Sequence, residues 1–235
     1  MKKTLLALLV ILNISCSEKS SDLTVKTNIK GLKKGTVYLK KVIDTTLVTV
    51  DSVIVNGESE IILQSALNKT ELFYLVLDKN SKEDEAITFF ADKGITEINT
   101  SVKYFTAKAE IKGSEAQKRF EDYKKLKSRW NNKNLELFKA SFEAQKAGDT
   151  NAFKAVQAKQ NSLTKSRYLQ TVNFAVNNNN SVVAPYLALT EVYDINLKYL
   201  DTIYTVLTPE IKSSKYGKEL KNFLEERKAN ETSKP

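Results

Sequence analysis

The sequence predicts an α+β protein, with an N-terminal antiparallel β-sandwich or jelly roll at residues 23–112 and an all-helical region at residues 113–230. Throughout the first region, apolar side chains alternate with polar ones at a period near two, which is typical of strands with one buried face. Asn56-Gly57 separates two β-branched runs and is a strong hairpin signal. At Gly113 the apolar period becomes helical, so the strands come first and the helices follow.

The β-rich region is expected to contain about eight short strands. The first run, residues 23–29, alternates regularly, and Gly31 and Gly35 belong to the turn that follows it. The other alternating or β-branched runs are residues 36–42, 46–55, 58–63, 71–77, 86–91, 95–99 and 105–111. Short strands at this spacing favour an antiparallel sandwich or a jelly roll.

The helical region begins with two long helices. Ser114 is the expected N-cap of the first, and Gln117 is expected to complete a capping box by reaching back to it. Gly148 ends this helix and Asp149 caps the next, so a short connection predicts a long antiparallel helix pair. One apolar stripe on the first helix is interpreted as buried core; it consists of Phe120, Tyr123, Leu126, Trp130, Leu137, Phe138 and Phe142.

Shorter helices are expected after the pair. Ser181 caps a third helix that extends to about Tyr193, with Pro185 in its first turn. Asn196 begins a fourth helix, and residues 231–235 form a polar tail.

The N-terminus predicts export. Lys2 and Lys3 precede an apolar run at residues 5–12 that is shorter than the roughly 20 residues a membrane span needs. This is the pattern of a cleaved signal peptide, residues 1–15. The residues Leu12-Asn13-Ile14-Ser15-Cys16 then resemble the lipobox of bacterial lipoproteins, although Asn13 replaces the usual apolar residue.

The resemblance to a lipobox implies that Cys16 is the lipidation site, carrying a diacylglycerol and an N-acyl chain of the palmitate type. Cys16 is the only cysteine of the chain, so no internal disulfide competes for its thiol. Several acyl chains would hold the protein firmly to a membrane. The alternative is an ordinary cleaved signal with an incidental cysteine.

Residues 16–22 are polar and are interpreted as a lipidated tether. The predicted location is therefore the bacterial envelope, with the protein lipid-anchored in the periplasmic or the surface-facing leaflet of the outer membrane. The membrane, reached through the lipid on Cys16, is the first predicted partner. The choice of leaflet stays open.

Composition excludes several classes of chemistry. The chain has no histidine, which removes the usual general base, the usual metal ligand and any Ser-His pair. With Cys16 committed to lipid, zinc and thiol chemistry lose their ligands as well. We therefore expect no catalytic residues, no metal and no cofactor.

Charge is distributed unevenly along the chain, whose formal net charge is +9. Residues 16–111 carry 13 basic and 14 acidic side chains, whereas residues 112–235 carry 22 basic and 14 acidic ones. The basic half is interpreted as solvated helix faces, with anionic lipid or polysaccharide as the alternative partner. No nucleic-acid recognition motif accompanies the charge, and nucleic acid is not expected as a partner.

Two groups of acidic residues are candidate sites. Residues 78–85 begin like a calcium loop with Asp78 and Asn80, but Glu83 replaces the glycine of the turn and Phe89 the bidentate glutamate. A solvated hairpin tip is the preferred interpretation. A glycan-active enzyme needs two carboxylates, and either of two pairs could provide them: Glu58 with Glu60, or Asp84 with Glu85.

Residues 29–39, the pair Asp51-Ser52 and Asn56-Gly57 resemble the start of a domain of unknown function. That domain precedes thioredoxin-like domains in exported lipoproteins of the Bacteroidota. Residues 111–117, 180–184 and 216–220 are similar to its helical continuation. The chain has no Cys-x-x-Cys pair, so the resemblance does not imply disulfide reductase activity here.

The same lineage implies possible O-glycosylation at short triplets that begin with aspartate. These are Asp44-Thr45-Thr46, Asp51-Ser52-Val53 and Asp201-Thr202-Ile203. Triplets of this length also occur by chance.

The sequence therefore favours a non-catalytic binding or scaffolding module at the cell envelope, with an unknown envelope protein or glycan as partner. One alternative is an accessory protein that docks onto an exported thioredoxin-like redox protein through the helical pair. The other is the carboxylate-based glycan-active enzyme. Fold alone does not distinguish them.

The lipid prediction is tested by mass spectrometry of the protein purified from its native host. We expect the mature chain to begin at Cys16 and to carry the added mass of several acyl chains, because the lipobox-like segment directs both steps. An unmodified thiol at Cys16 in protein recovered from the cytosol would contradict it.

Overall fold

The computed structural model describes residues 21–78 and 85–232. Within these ranges the chain forms eight strands, one 3-10 helix and six α-helices. The strands are β1 Leu23–Lys30, β2 Gly35–Ile43, β3 Thr46–Val55, β4 Ile61–Ser65, β5 Glu71–Asp78, β6 Glu85–Ala91, β7 Gly94–Ser101 and β8 Glu110–Lys112. The helices are α1 Glu115–Lys146, α2 Thr150–Asn177, α3 Val183–Thr190, α4 Leu197–Val206, α5 Pro209–Lys212 and α6 Lys215–Thr232. The predicted α+β class is confirmed.

The strands form two four-stranded sheets that pack face to face. The outer sheet has the order β4-β1-β7-β8, and the middle sheet has the order β3-β2-β5-β6. Neighbouring strands are antiparallel except for β1 and β7, which run parallel from Leu23 opposite Gly94 to Lys30 opposite Ser101. Alternation reveals which face of a strand is buried but not its direction, so the sequence did not predict this pair.

The middle sheet is buried on both faces. On β5, Phe73 and Leu75 point into the core between the two sheets, whereas Leu72 belongs to a second core shared with the helices. On β6, Phe89 belongs to the core between the two sheets, and Phe90 belongs to the core shared with the helices. The molecule therefore has three layers: the outer sheet, the middle sheet and the helices.

Helix α1 attaches to the free edge of the middle sheet. Ser114 is its N-cap, as predicted, and accepts a hydrogen bond from the Gln117 backbone N–H at 3.2 Å. The Gln117 side chain does not complete a capping box. Its Oε1 accepts the backbone N–H of Phe90 at 2.9 Å, and its Nε2 donates to Glu121. The side chain thus pairs with the unpaired edge of β6, which is what an exposed sheet edge requires.

Helices α1 and α2 form the predicted antiparallel pair. Gly148 takes a φ of 67° in the connection, a conformation that glycine adopts without strain. Asp149 caps α2 by accepting the backbone N–H of Ala152 at 2.9 Å. The 32 residues of α1 correspond to a length of about 48 Å.

The apolar stripe of α1 is only partly core, and the prediction that all of it is buried was wrong. Phe120, Tyr123 and Trp130 are buried, but the side chains of Phe138 and Phe142 are 66% and 59% exposed. No residue from 131 to 162 belongs to either core cluster. Beyond Trp130 the pair is a two-helix arm, residues 131–162, and a helix with one neighbour can bury only one side.

Several predicted boundaries were also wrong. The run at 105–111 contributes only its last two residues to β8; a 3-10 helix at Val102–Tyr104 precedes the run, and Phe105 is buried. Strand β4 lies at Ile61–Ser65 rather than at 58–63. Helix α3 ends at Thr190, and α6 extends two residues into the predicted polar tail. None of the described helices has the length and apolarity that crossing a membrane requires.

The first prediction from the fold concerns Thr96 on β7. Its hydroxyl is fully buried and has no hydrogen-bond partner among the described residues. We expect Thr96→Val to raise the free energy of unfolding by about 1 kcal/mol, because the substitution removes an unsatisfied polar group while keeping the β-branched shape. Urea denaturation measures this change. Thr49→Val at an exposed position of β3 is the control and should change stability by less than about 0.5 kcal/mol; an equal gain at both sites would contradict the explanation.

Candidate functional site

Three of the sequence-predicted sites lie partly or wholly outside the described residues: the lipidation site, the calcium-loop candidate and one of the two carboxylate pairs. Cys16 is one of them, so its lipidation stays a prediction. The calcium-loop candidate is described only at its two ends. Asp78 ends β5 and Glu85 begins β6, and the two strands pair in an antiparallel arrangement. The intervening residues 79–84 are outside the described ranges.

Of the four carboxylates considered for glycan hydrolysis, the three within the described residues are exposed. Glu58 and Glu60 are exposed in the connection between β3 and β4, and Glu58 accepts the backbone N–H of Asn56. Glu85 is exposed at the start of β6. Strands β3 and β6 are opposite edges of the middle sheet, roughly 14 Å apart. Asp84 lies outside the described residues.

The hydroxyls of the three glycosylation-like triplets are exposed. Thr45 lies in the β2–β3 turn, Ser52 lies on β3, and Thr202 lies on α4, where its hydroxyl donates to the Lys198 carbonyl at 2.8 Å. Their modification stays a prediction.

A cleft opens where the middle sheet meets helices α3 and α6. We call it the tyrosine cleft; its volume is about 250 Å³. Its lining residues are Val42, Asp44, Leu72, Tyr74, Tyr186, Leu189, Thr190, Lys215, Tyr216 and Glu219. Three tyrosines from three different elements converge here.

A cluster of rings holds the tyrosines in place. The rings of Tyr186 and Tyr216 meet edge to face with centroids 5.6 Å apart, and Phe90 meets Tyr186 edge to face at 5.3 Å. The Tyr216 hydroxyl accepts the backbone N–H of Leu72 at 3.1 Å, which fixes helix α6 to strand β5. Edge-to-face pairs each add about 0.5–1.5 kcal/mol beyond the area they bury.

Charged groups surround the same cleft. The Lys215 ammonium donates to the Val42 carbonyl at 2.6 Å and to Glu71 at 2.8 Å. Lys41 contacts the other oxygen of Glu71 at 3.2 Å. The carboxylates of Asp44 and Glu219 make no hydrogen bond or ion pair within the part of the chain that the structure describes. Partial burial raises the pKa of Glu219, and Lys215 lowers it to a smaller extent.

A second, larger cleft of about 500 Å³ lies at the N-terminus of α1, and hydrogen bonds at its wall connect the sandwich to the helices. Asp92 accepts the Thr70 hydroxyl and the backbone N–H of Glu115. Lys69 donates to the Ser213 hydroxyl at 3.0 Å. These contacts join the sandwich to the helices, so we interpret this cleft as a structural joint.

The third candidate is an exposed apolar stripe on the arm, formed by Leu135, Phe138 and Phe142. Their exposed fractions are 68%, 66% and 59%, and they are spaced by three and four residues along one side of α1. Lys139 and Lys146 lie beside them on the helix. Sequence analysis identified the two phenylalanines but assigned them to the core.

Residues 23–120 match the family model described as a domain of unknown function (DUF4369). This part of the chain is similar to the DUF4369 family. No curated protein matches the chain. The match spans both sheets and the first turns of α1, ending at Phe120, whose ring meets Phe90 edge to face at 5.3 Å.

The match confirms the predicted relationship to a domain of unknown function. The predicted helical continuation at residues 180–184 and 216–220 lies outside the match, and the association with thioredoxin-like domains stays a prediction. Tyr74 of the cleft lies within the matched residues, whereas Tyr186 and Tyr216 come from helices beyond them. No periodicity in the sequence indicated that these three residues meet.

No group of three or more side chains suited to hold a metal ion occurs among residues 21–78 and 85–232. The tyrosine cleft therefore offers rings, carboxylates and one ammonium group as its chemistry.

The buried tyrosines predict a loss of stability at alkaline pH. Burial raises the pKa of Tyr186 to about 12 and that of Tyr216 further, against a usual value near 10. The unfolded chain therefore releases these protons first, so stability is fully present below pH 10 and falls as pH rises towards 12. Urea denaturation across this range should show a shallower loss for Tyr186→Phe than for the wild type. The exposed Tyr193→Phe is the control, and identical slopes for Tyr186→Phe and the wild type would contradict the account.

Proposed function

We propose that this protein is an exported lipoprotein, anchored through Cys16 to a membrane of the bacterial envelope, that acts as a non-catalytic docking module. The observation that carries the docking role is the exposed stripe of Leu135, Phe138 and Phe142 on the arm. Soluble proteins seldom expose large apolar side chains in a contiguous row unless another surface covers them.

The stripe has the geometry of a recognition helix. Its three side chains recur at i, i+3 and i+7, the spacing with which an amphipathic helix fills an apolar groove. Ala144, which faces α2, is buried, so the stripe lies on a side of α1 that α2 leaves open. The arm extends roughly 24 Å beyond Trp130, which gives a partner access to that side.

Charge indicates the kind of groove that fits. Residues 131–165 contain six lysines and three acidic side chains. Lys139 and Lys146 lie close to the apolar row. A partner protein with an apolar groove rimmed by carboxylates matches both features, and a second copy of this arm is disfavoured by like charge.

Two alternatives have unequal support. An exported thioredoxin-like protein as the docked partner is favoured by the DUF4369 relationship together with the exposed arm. The glycan-active enzyme gains no support, since Glu58, Glu60 and Glu85 are exposed and line neither of the two clefts described above.

Site-specific photocrosslinking in the native host tests the docking role. A photoreactive phenylalanine analogue at Phe138 should give one discrete crosslinked partner, which is then purified. Its affinity for the protein should fall at least about tenfold for Phe138→Asp, because a carboxylate on the stripe opposes both burial and an acidic rim.

The controls separate docking from folding. Ala140→Asp, an exposed position on the side of α1 away from the stripe, should leave the affinity within about twofold of the wild type, and circular dichroism should show both variants folded. Crosslinking only to a second copy, or an equal loss of affinity for both variants, would contradict the proposal. A partner with a Cys-x-x-Cys motif would identify the thioredoxin-like alternative.

A further inference from the structure

We infer that the tyrosine cleft binds a small organic cation, an alkylammonium ion. This site lies between the middle sheet and helices α3 and α6, apart from the arm, so it is independent of the docking role.

The rings provide the first argument. The face of a tyrosine ring is electron-rich and attracts ammonium groups, and aromatic cages are used to recognise methylated ammonium ions. Tyr74, Tyr186 and Tyr216 all line the cleft. The structure already places one ammonium group against a ring of this set: Lys215 Nζ lies 5.9 Å from the centroid of Tyr216.

The charges provide the second argument. Glu71 lies between Lys41 and Lys215 and contacts both ammonium groups. Asp44 and Glu219 add two carboxylates that make no hydrogen bond or ion pair among the described residues, so acidic groups outnumber basic ones around the cleft. In a chain with a formal net charge of +9, this local excess favours a cation over an anion.

The partial burial of Glu219 also favours a cationic ligand. Burial raises the pKa of this carboxyl more than Lys215 lowers it, so its charged form is only partly compensated by the neighbouring groups. A cation seated among the rings would provide that compensation. A neutral sugar could contact the same rings and oxygens but would leave the charge uncompensated.

The size of the cleft limits the ligand. Its volume of about 250 Å³ lies below the range of roughly 300–1,000 Å³ that is typical of pockets for drug-sized molecules. A compact ion with a few carbon atoms on its nitrogen fits this volume.

The position of Asp44 is set by a tight turn. Its φ of 54° is a left-handed conformation that aspartate and asparagine tolerate better than other side chains, and it lies between β2 and β3. The turn therefore holds this carboxylate at the cleft, and Asp44→Asn removes the charge while keeping the turn preference.

Calorimetric titration of the full chain with choline tests the inference. The neutral comparison ligand is 3,3-dimethylbutan-1-ol, which has the shape of choline with carbon in place of the charged nitrogen. We expect choline to bind saturably and at least about tenfold more tightly than the alcohol, because the rings and carboxylates respond to charge. Equal binding of the two ligands, or no saturation by choline, tetramethylammonium or butylammonium, would overturn the inference.

Variants then locate the site. Asp44→Asn combined with Glu219→Gln should weaken choline binding at least about tenfold. Glu226→Gln, an exposed position on the same helix, should leave it unchanged. Tyr74→Phe should keep binding because the ring face remains, whereas Tyr74→Leu should reduce it. Loss of binding with Tyr74→Phe, or unchanged binding in the double variant, would overturn the assignment to this cleft.

Discussion

The packing of aromatic rings between the middle sheet and the helices is the interaction on which the rest of the structure depends. Phe90 on β6 meets Phe120, Tyr186 and Tyr216 edge to face, with centroids 5.3, 5.3 and 6.0 Å apart. One strand residue thereby contacts three helices. Without this contact, the face of β5 and β6 that points towards the helices would be an exposed apolar surface, and the helices would have no apolar surface to cover.

The candidate ligand site is a consequence of this junction. The tyrosine cleft lies at the border of the ring cluster, where Tyr186 and Tyr216 form part of its wall. The Tyr216 hydroxyl is held by the backbone N–H of Leu72, and Lys215 is held by Glu71 and the Val42 carbonyl. These contacts position the cleft's groups before any ligand arrives, which lowers the entropic cost of binding.

The arm has the opposite design. Its base is secured by Trp130 and Leu163, and beyond them α1 and α2 contact only each other within the described structure. Phe138 and Phe142 continue the same helical period as the buried Phe120 and Tyr123, yet they are exposed because no third element covers them. The two proposed sites therefore differ in kind: one is a pre-formed cleft at the junction, and the other is an exposed apolar stripe on the arm.

The sequence by itself determined the α+β class, most strand positions, the caps at Ser114, Asp149 and Asn196, and the family relationship, because alternation, turn chemistry and capping are local properties. Tertiary structure alone decided the parallel pairing of β1 with β7, the contact of Gln117 with Phe90, and the exposure of Phe138. It also brought together Tyr74, Tyr186 and Tyr216, which are more than a hundred residues apart at the extremes. A periodic pattern shows which side of a helix or strand is apolar. Whether that side is buried depends on a second element packing against it, and such packing is decided by contacts between distant parts of the chain.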